Sequence, residues 1–163
     1  MIFAKIMLLG DIGVGKTSLA RRFVFDKFET DYKTTIGVDV LTHDVALGSE
    51  CGDETLRFVL WDTDGDFGSR IFETVYVLGA SGAIVVADAT RPGTLAKMAA
   101  VAAGFEERFP GRPVARIVNK IDLAPEAREA APARDTAFTS AKTGEGVEAL
   151  FAKLGAAVWR RRG

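Results

Sequence analysis

Gly10 to Thr17 reads Gly-Asp-Ile-Gly-Val-Gly-Lys-Thr, the spacing GxxxxGK[ST], directly after the apolar run Ile2–Leu9 and ahead of a helical pattern. A strand that feeds a helix through glycines lets successive backbone N–H groups converge on phosphate oxygens, and the helix N-terminus adds partial positive charge. The segment Asp11, Ile12, Gly13, Val14, Gly15, Lys16, Thr17 and Ser18 is therefore expected to cradle a polyphosphate. Lys16 would reach the outer phosphates, and the Thr17 hydroxyl would ligate Mg²⁺. A glycine-rich turn without a ligand is the plain alternative. The fixed spacing, the Lys-Thr pair and the strand-turn-helix context argue against it together.

Two further stretches sit after apolar runs. Trp61-Asp62-Thr63-Asp64-Gly65 ends a strand pattern in Asp-x-x-Gly. Asp62 is placed to hold Mg²⁺ through water, and Gly65 lets backbone approach a γ-phosphate and sense whether it is there. Asn119-Lys120-Ile121-Asp122 follows the buried run Val114–Val118, at the carboxyl edge where open α/β sheets bind ligands. A carboxylate at Asp122 can accept from guanine N1 and the 2-amino group, whereas adenine offers no such donor pair and would leave the charge unmatched. Ser140-Ala141-Lys142 can present the Ala141 amide to the guanine carbonyl while Lys142 covers the ring. These pieces point to GTP or GDP with Mg²⁺. An ATP-using phosphate-loop enzyme shares only the first of them.

The elements that must carry these residues follow from the apolar pattern. Strands are expected at Ile2–Leu9, Val38–Leu47, Leu56–Trp61, Ala83–Ala87, Val114–Val118 and Ala137–Thr139, and helices at Lys16–Phe25, Phe67–Leu78, Thr94–Arg108 and Val147–Arg160. Such alternation predicts an α/β fold of three layers, α/β/α, around a mostly parallel six-stranded sheet. Only Gly48 to Thr55 separates the second and third strands, so that pair should form an antiparallel hairpin at the edge. Val147, Leu150, Phe151, Leu154 and Val158 recur at helical spacing and read as a core stripe. Between Leu123 and Asp135, Pro125 and Pro132 leave room for a remnant helix over 125–131 at most.

The 163 residues fit one domain, 1–163, able to bury a core without staples. Lys plus Arg number 21 against 22 Asp plus Glu, so no net field draws the chain to nucleic acid, and partners must be recognised locally. The single cysteine, Cys51, reads as a loop residue and suits a reducing cytoplasm. No apolar run approaches the roughly 20 residues that cross a bilayer, so no integral membrane segment is expected. A monomer is expected.

From Ile2 to Trp159 the chain resembles a Ras-superfamily small GTPase, nearest the Rab branch, with the P-loop NTPase fold. Tyr32 to Asp39 is similar to the Rab switch-I stretch, and Thr139 to Glu145 to its last guanine motif. The resemblance implies a molecular switch that hydrolyses GTP slowly and meets protein effectors and regulators through its switches. It makes Thr35 the threonine that binds Mg²⁺ and γ-phosphate in the GTP state, with Lys16, Thr35, Gly65 and position 66 as the hydrolytic set. Phe28 matches the aromatic against guanine, its alternative being a helix-end core residue. Trp61 and Tyr76 match two of three aromatics shown to Rab effectors, but Val40 holds the third place; partner contact and ordinary packing both fit them.

The chain departs from the family where hydrolysis is decided. Asp66 replaces the glutamine that orients the attacking water, and Ile12 stands where glycine or serine is usual. Two readings follow: a slowly cycling GTPase, or a GTP-locked binding scaffold. The sequence also shows no cysteine for prenylation at Arg162-Gly163 and no glycine after Met1, so no lipid anchor is expected. That fits a truncated chain or a prokaryotic relative of the Rab branch.

Overall fold

The computed structural model describes residues 1–28, 37–63, 65–130 and 135–162. Six strands, β1 (Ile2–Gly10), β2 (Val38–Ala46), β3 (Thr55–Thr63), β4 (Gly82–Asp88), β5 (Val114–Asn119) and β6 (Thr136–Phe138), form one sheet in the order β2-β3-β1-β4-β5-β6. All neighbours are parallel except β2 and β3, which pair antiparallel with Val40 opposite Trp61. The edge hairpin expected from the short connection is therefore present. Cys51 lies in that connection, within the short 3₁₀ turn Ser49–Cys51, but its side chain is buried at 2% exposure and joins the core.

Among the described residues four α-helices accompany the sheet: α1 (Lys16–Phe25), α2 (Gly93–Arg108), α3 (Ala127–Ala130) and α4 (Val147–Arg162). The central strands read as unbroken apolar runs because both faces are covered. On one face Ile6, Leu8, Phe58, Leu60 and Ile84 meet Leu19 of α1 and Phe151 and Leu154 of α4; Phe23 and Phe151 stack with centroids 3.6 Å apart. On the other, Met7, Leu9, Val85 and Ala87 meet Met98, Ala102 and Phe105 of α2. The expected stripe on α4 is buried throughout, and α3 is the remnant that the prolines allowed.

One element differs. The segment 67–78, expected as a helix, forms 3₁₀ turns at Gly65–Glu73 and Val75–Val77. Gly68 breaks the first with φ 50° and ψ −134°, and Thr74 is extended between the two. The Thr74 hydroxyl donates to the Ile71 carbonyl (2.7 Å) and accepts from the Tyr76 amide (3.2 Å), replacing helical bonds with a side-chain link. Ile71 and Val77 still reach the core facing α2, so their spacing reported burial rather than an α-helix.

Candidate functional site

β1 lies between β3 and β4, the chain running from it first to β2 and β3 on one side and then to β4 on the other, so a crevice opens at the carboxyl end of β1, the position where such sheets bind ligands. The phosphate loop fills that end. Gly15, with φ 104°, caps α1, and its carbonyl accepts the Leu19 amide at 2.9 Å. Lys16 is 6% exposed and folds back over the loop, Nζ donating to the Gly10 and Asp11 carbonyls at 2.9 Å each. Val14 is buried, while Gly13, Thr17 and Ser18 are half-buried. Ile12 is 37% exposed at the loop's outer turn.

The Thr17 hydroxyl donates to Oδ2 of Asp62, a carboxylate only 1% exposed at the end of β3. A hydroxyl and a carboxylate brought together beside the loop are oxygen ligands that suit Mg²⁺, which takes one or two protein ligands and leaves the rest to phosphate and water. Among the described residues no group of three or more acidic, histidine or cysteine side chains that could hold a metal ion is found. Thr35 lies outside the described residues.

Gly65 touches the loop from the other side. A Cβ there would run into the Ile12 amide nitrogen and come within 2.8 Å of the Asp11 carbonyl carbon, so only glycine fits. Asp66 follows it exposed, its backbone carbonyl accepting from Arg70 at 2.8 Å.

Asn119 joins the loop to the second half of the crevice. Its Nδ2 donates to the Val14 carbonyl (3.0 Å), while Oδ1 accepts from the Thr139 hydroxyl (2.9 Å) and the Ala141 amide (3.3 Å). Any Cβ on Gly15 would collide with that Nδ2. Asp122 is held by the buried Ser140, whose hydroxyl donates to Oδ1 at 2.7 Å and accepts from the Thr143 amide at 3.1 Å. One carboxylate is thereby oriented at the β5 side of the crevice, with Lys142 exposed and Lys120 half-buried on either side of it in the chain.

Four contributors were not evident from sequence. Arg22 on α1 donates through Nε to the Ala141 carbonyl (2.7 Å) and through Nη2 to the Lys142 carbonyl. Asp88, buried at the end of β4 opposite Asn119, pairs with Lys120 and Arg91, and Lys97 pairs with Asp11 at 2.9 Å. The Lys97 hydrogen bond is the main reason the Asp11 carboxyl lies below its ordinary value. Asp88 was detectable: an apolar strand ends in a carboxylate at the edge that also carries Asn119.

The aromatic positions divide. Phe28 is 37% exposed just past α1, not a core residue. Trp61 and Tyr76 are half-buried with centroids 6.3 Å apart; Lys5 Nζ lies 4.0 Å from the Trp61 centroid, and the indole N–H is buried without an acceptor. Val40, across the hairpin from Trp61, is 43% exposed.

Fold and crevice together define a phosphate-loop nucleotide-binding protein of the α/β class. The Ras family model matches residues 5–160, and the chain belongs to the Ras family. It is 34% identical to the GTP-binding protein ypt5 of Schizosaccharomyces pombe, over 92% of this chain and 75% of that protein. It is 33% identical to the human Ras-related protein Rab-31, over 90% of this chain and 78% of the relative. These likenesses put it close to the Rab branch. Membership makes it a GTP-binding switch and a GTPase whose class meets effectors and regulators. Among the described residues no helix is long and apolar enough to cross a membrane.

Proposed function

We propose that the chain is a single-domain, monomeric, Mg²⁺-dependent switch of the cytoplasm, in which Asp122 selects guanine and the phosphate loop with Lys16 holds the phosphates. The observation that carries the reading is Asn119, whose one amide bonds both the phosphate-loop carbonyl of Val14 and the Ala141 amide. That link fixes the distance between the phosphate-binding and base-reading segments. Thr17 and Asp62, with Thr35, would hold Mg²⁺, which neutralises phosphate charge when bound. Lys16 Nζ and the loop amides meet the phosphate oxygens, and the Gly65 amide stands where an outer phosphate can be sensed. The Ala141 amide would share its N–H between Asn119 Oδ1 and the base carbonyl, and Lys142 would cover the base, with Phe28 against its ring. Displacement of a fluorescent GDP by GTP but not by ATP tests the assignment.

Hydrolysis is slow in this reading. The family's glutamine both accepts from water and donates to the transferring oxygens, whereas the Asp66 carboxylate is shorter and accepts only. It also brings negative charge toward the γ-phosphate. A second reading, a GTP-locked platform, draws support from the branched Ile12 side chain at the rim and the Gly65 backbone packed against that residue. The nucleotide retained through purification separates them: GDP for the cycling enzyme, GTP for the locked one. The protein partners would read the switches, so fluorescence of Trp61 should differ between GDP and a non-hydrolysable GTP analogue. Identical spectra would remove the switch.

A further inference from the structure

β4 delivers a carboxylate, Asp88, to the crevice edge beside Asn119, and every polar side of it is used. Oδ1 accepts from the Thr90 amide (2.8 Å) and the Thr90 hydroxyl (2.6 Å). Oδ2 accepts from Arg91 Nε (3.0 Å) and faces Lys120 Nζ at 2.9 Å. Arg91 then extends Nη2 to the Ile12 carbonyl at 2.7 Å. An unbroken path runs from the base-reading segment to the phosphate loop through one residue that is 1% exposed.

Only Oδ1 of that carboxylate serves the β4–α2 turn, which other bonds also close. The Thr94 hydroxyl already accepts the Asp88 amide at 2.8 Å and donates to the Arg91 carbonyl at 2.7 Å. A buried carboxylate is costly unless donors surround it, so its presence needs a use beyond the turn. Lys120 supplies one: its backbone is left-handed, with φ 66°, a conformation uncommon for a residue with a Cβ.

We infer that Asp88 is a positioning residue for the bound nucleotide: it fixes Lys120 and Arg91 together and, through Arg91, ties the Ile12 end of the phosphate loop to the base-reading segment. The inference rests on the reading of those two segments given above. Nucleotide can leave only when they part, so the relay slows release. Arg91 acts from outside the loop, through a backbone carbonyl.

The test is the rate at which Mg²⁺-loaded protein releases a fluorescent GDP into excess unlabelled GDP. Asp88→Asn should release it about tenfold faster and Arg91→Ala about three- to fivefold faster, since charge-assisted bonds are the strong ones. The double variant should be no faster than Asp88→Asn alone, because both break one path. Arg91→Lys cannot bridge two acceptors in a fork and should behave like Arg91→Ala, which keeps the test intact if Asp88→Asn does not fold. Arg57→Ala breaks a bidentate pair with Asp44 on the hairpin and should stay within about twofold of wild type. Release from Arg91→Ala within about twofold of wild type, multiplying effects in the double variant, or an equal effect of Arg57→Ala would overturn the relay. Lys120→Ala fast with Arg91→Ala unchanged would overturn the relay alone; Lys120→Ala without effect would remove the base-site reading beneath it.

Discussion

The two ends of the crevice are built in different ways. At the end proposed to read the base, the Ala141 amide donates to Asn119 at 3.3 Å, the Ser140 hydroxyl donates to Asp122 at 2.7 Å, and Arg22 holds the Ala141 carbonyl. At the outer-phosphate end, approach is made by backbone, Gly65 against Ile12, and the flanking side chains of Ile12 and Asp66 are exposed. A preformed cluster loses little freedom when ligand arrives, so affinity and selectivity are expected to depend on this end. An exposed residue beside a backbone contact can be exchanged without disturbing the fold, so that end can vary in rate and in partner.

The strongest way to break this comparison is at Asp122. Asp122→Asn would remove a charged acceptor from two guanine donors, each charge-assisted bond contributing about 1.5–3 kcal/mol, so GTP affinity should fall by about 10² to 10⁴-fold. Xanthine nucleotide, which presents an acceptor where guanine has its amino group, should gain. Competition binding with both nucleotides measures this directly. Unchanged GTP affinity would show that the ordered cluster does not read the base.

Asp88 offers a pH test of the ordered half. Burial alone would raise its carboxyl; bonds from Thr90, Lys120 and Arg91 outweigh that and hold it at about 2, below the ordinary 3.8. Because the folded value is the lower one, the stabilisation is present above the unfolded value and is lost as pH falls through the folded one. It amounts to about 2 kcal/mol. Urea unfolding of wild type and Asp88→Asn should therefore differ by a gap that narrows between about pH 4 and pH 2. A gap that stays constant with pH would mean that the pairing seen at Asp88 contributes nothing to stability.

At the outer-phosphate end the expected change is in rate. Unassisted hydrolysis should run on the order of 10⁻⁴ per second, and Asp66→Gln should raise it about tenfold by restoring a donor to the transferring oxygens. Single-turnover measurements of wild type, Asp66→Gln and Asp66→Ala decide it. Turnover above about 10⁻² per second in wild type, lost in Asp66→Ala, would make Asp66 a catalytic acceptor and reverse the comparison.

How much of this could be read from residue types divides along the same line. The phosphate loop, Asp62 and the Asn119–Asp122 stretch each announce themselves because glycine, lysine and carboxylate occur at fixed spacing after apolar runs. The inner strand β4 was equally plain, since burial of every residue leaves no polar alternation to confuse with a helix, while β3 shows the alternation of a strand. The segment 67–78 misled because Ile71 and Val77 are buried at a spacing that a broken 3₁₀ path can also satisfy. Arg22 and Arg91 were invisible for another reason: their acceptors are backbone carbonyls 119 and 79 positions away, and a carbonyl has no residue type.

Arg22 gives the smallest effect and the finest discrimination. It leaves α1, the helix that begins at the phosphate lysine, and ends on the carbonyls of Ala141 and Lys142, so one helix serves both ends of the crevice. Its third contact, to Asp26 at 3.2 Å, is an i, i+4 pair with Asp26 92% exposed and adds little. Removing the guanidinium leaves the part-buried Ala141 carbonyl and the exposed Lys142 carbonyl, and water can replace part of what is lost, so the cost should be about 1 kcal/mol. Arg22→Ala should then release fluorescent GDP about three- to sixfold faster than wild type. Preference for GTP over ATP should be unchanged, because Asp122 and Ser140 keep their own bond at 2.7 Å. Arg22→Lys should recover only part of the loss, since an ammonium cannot reach both carbonyls as a planar fork does. Faster release with intact selectivity would show that bracing and base reading are separable within the ordered half. Selectivity falling in step with release would show instead that the cluster stands or fails as a unit, with Arg22 among the residues that orient Asp122.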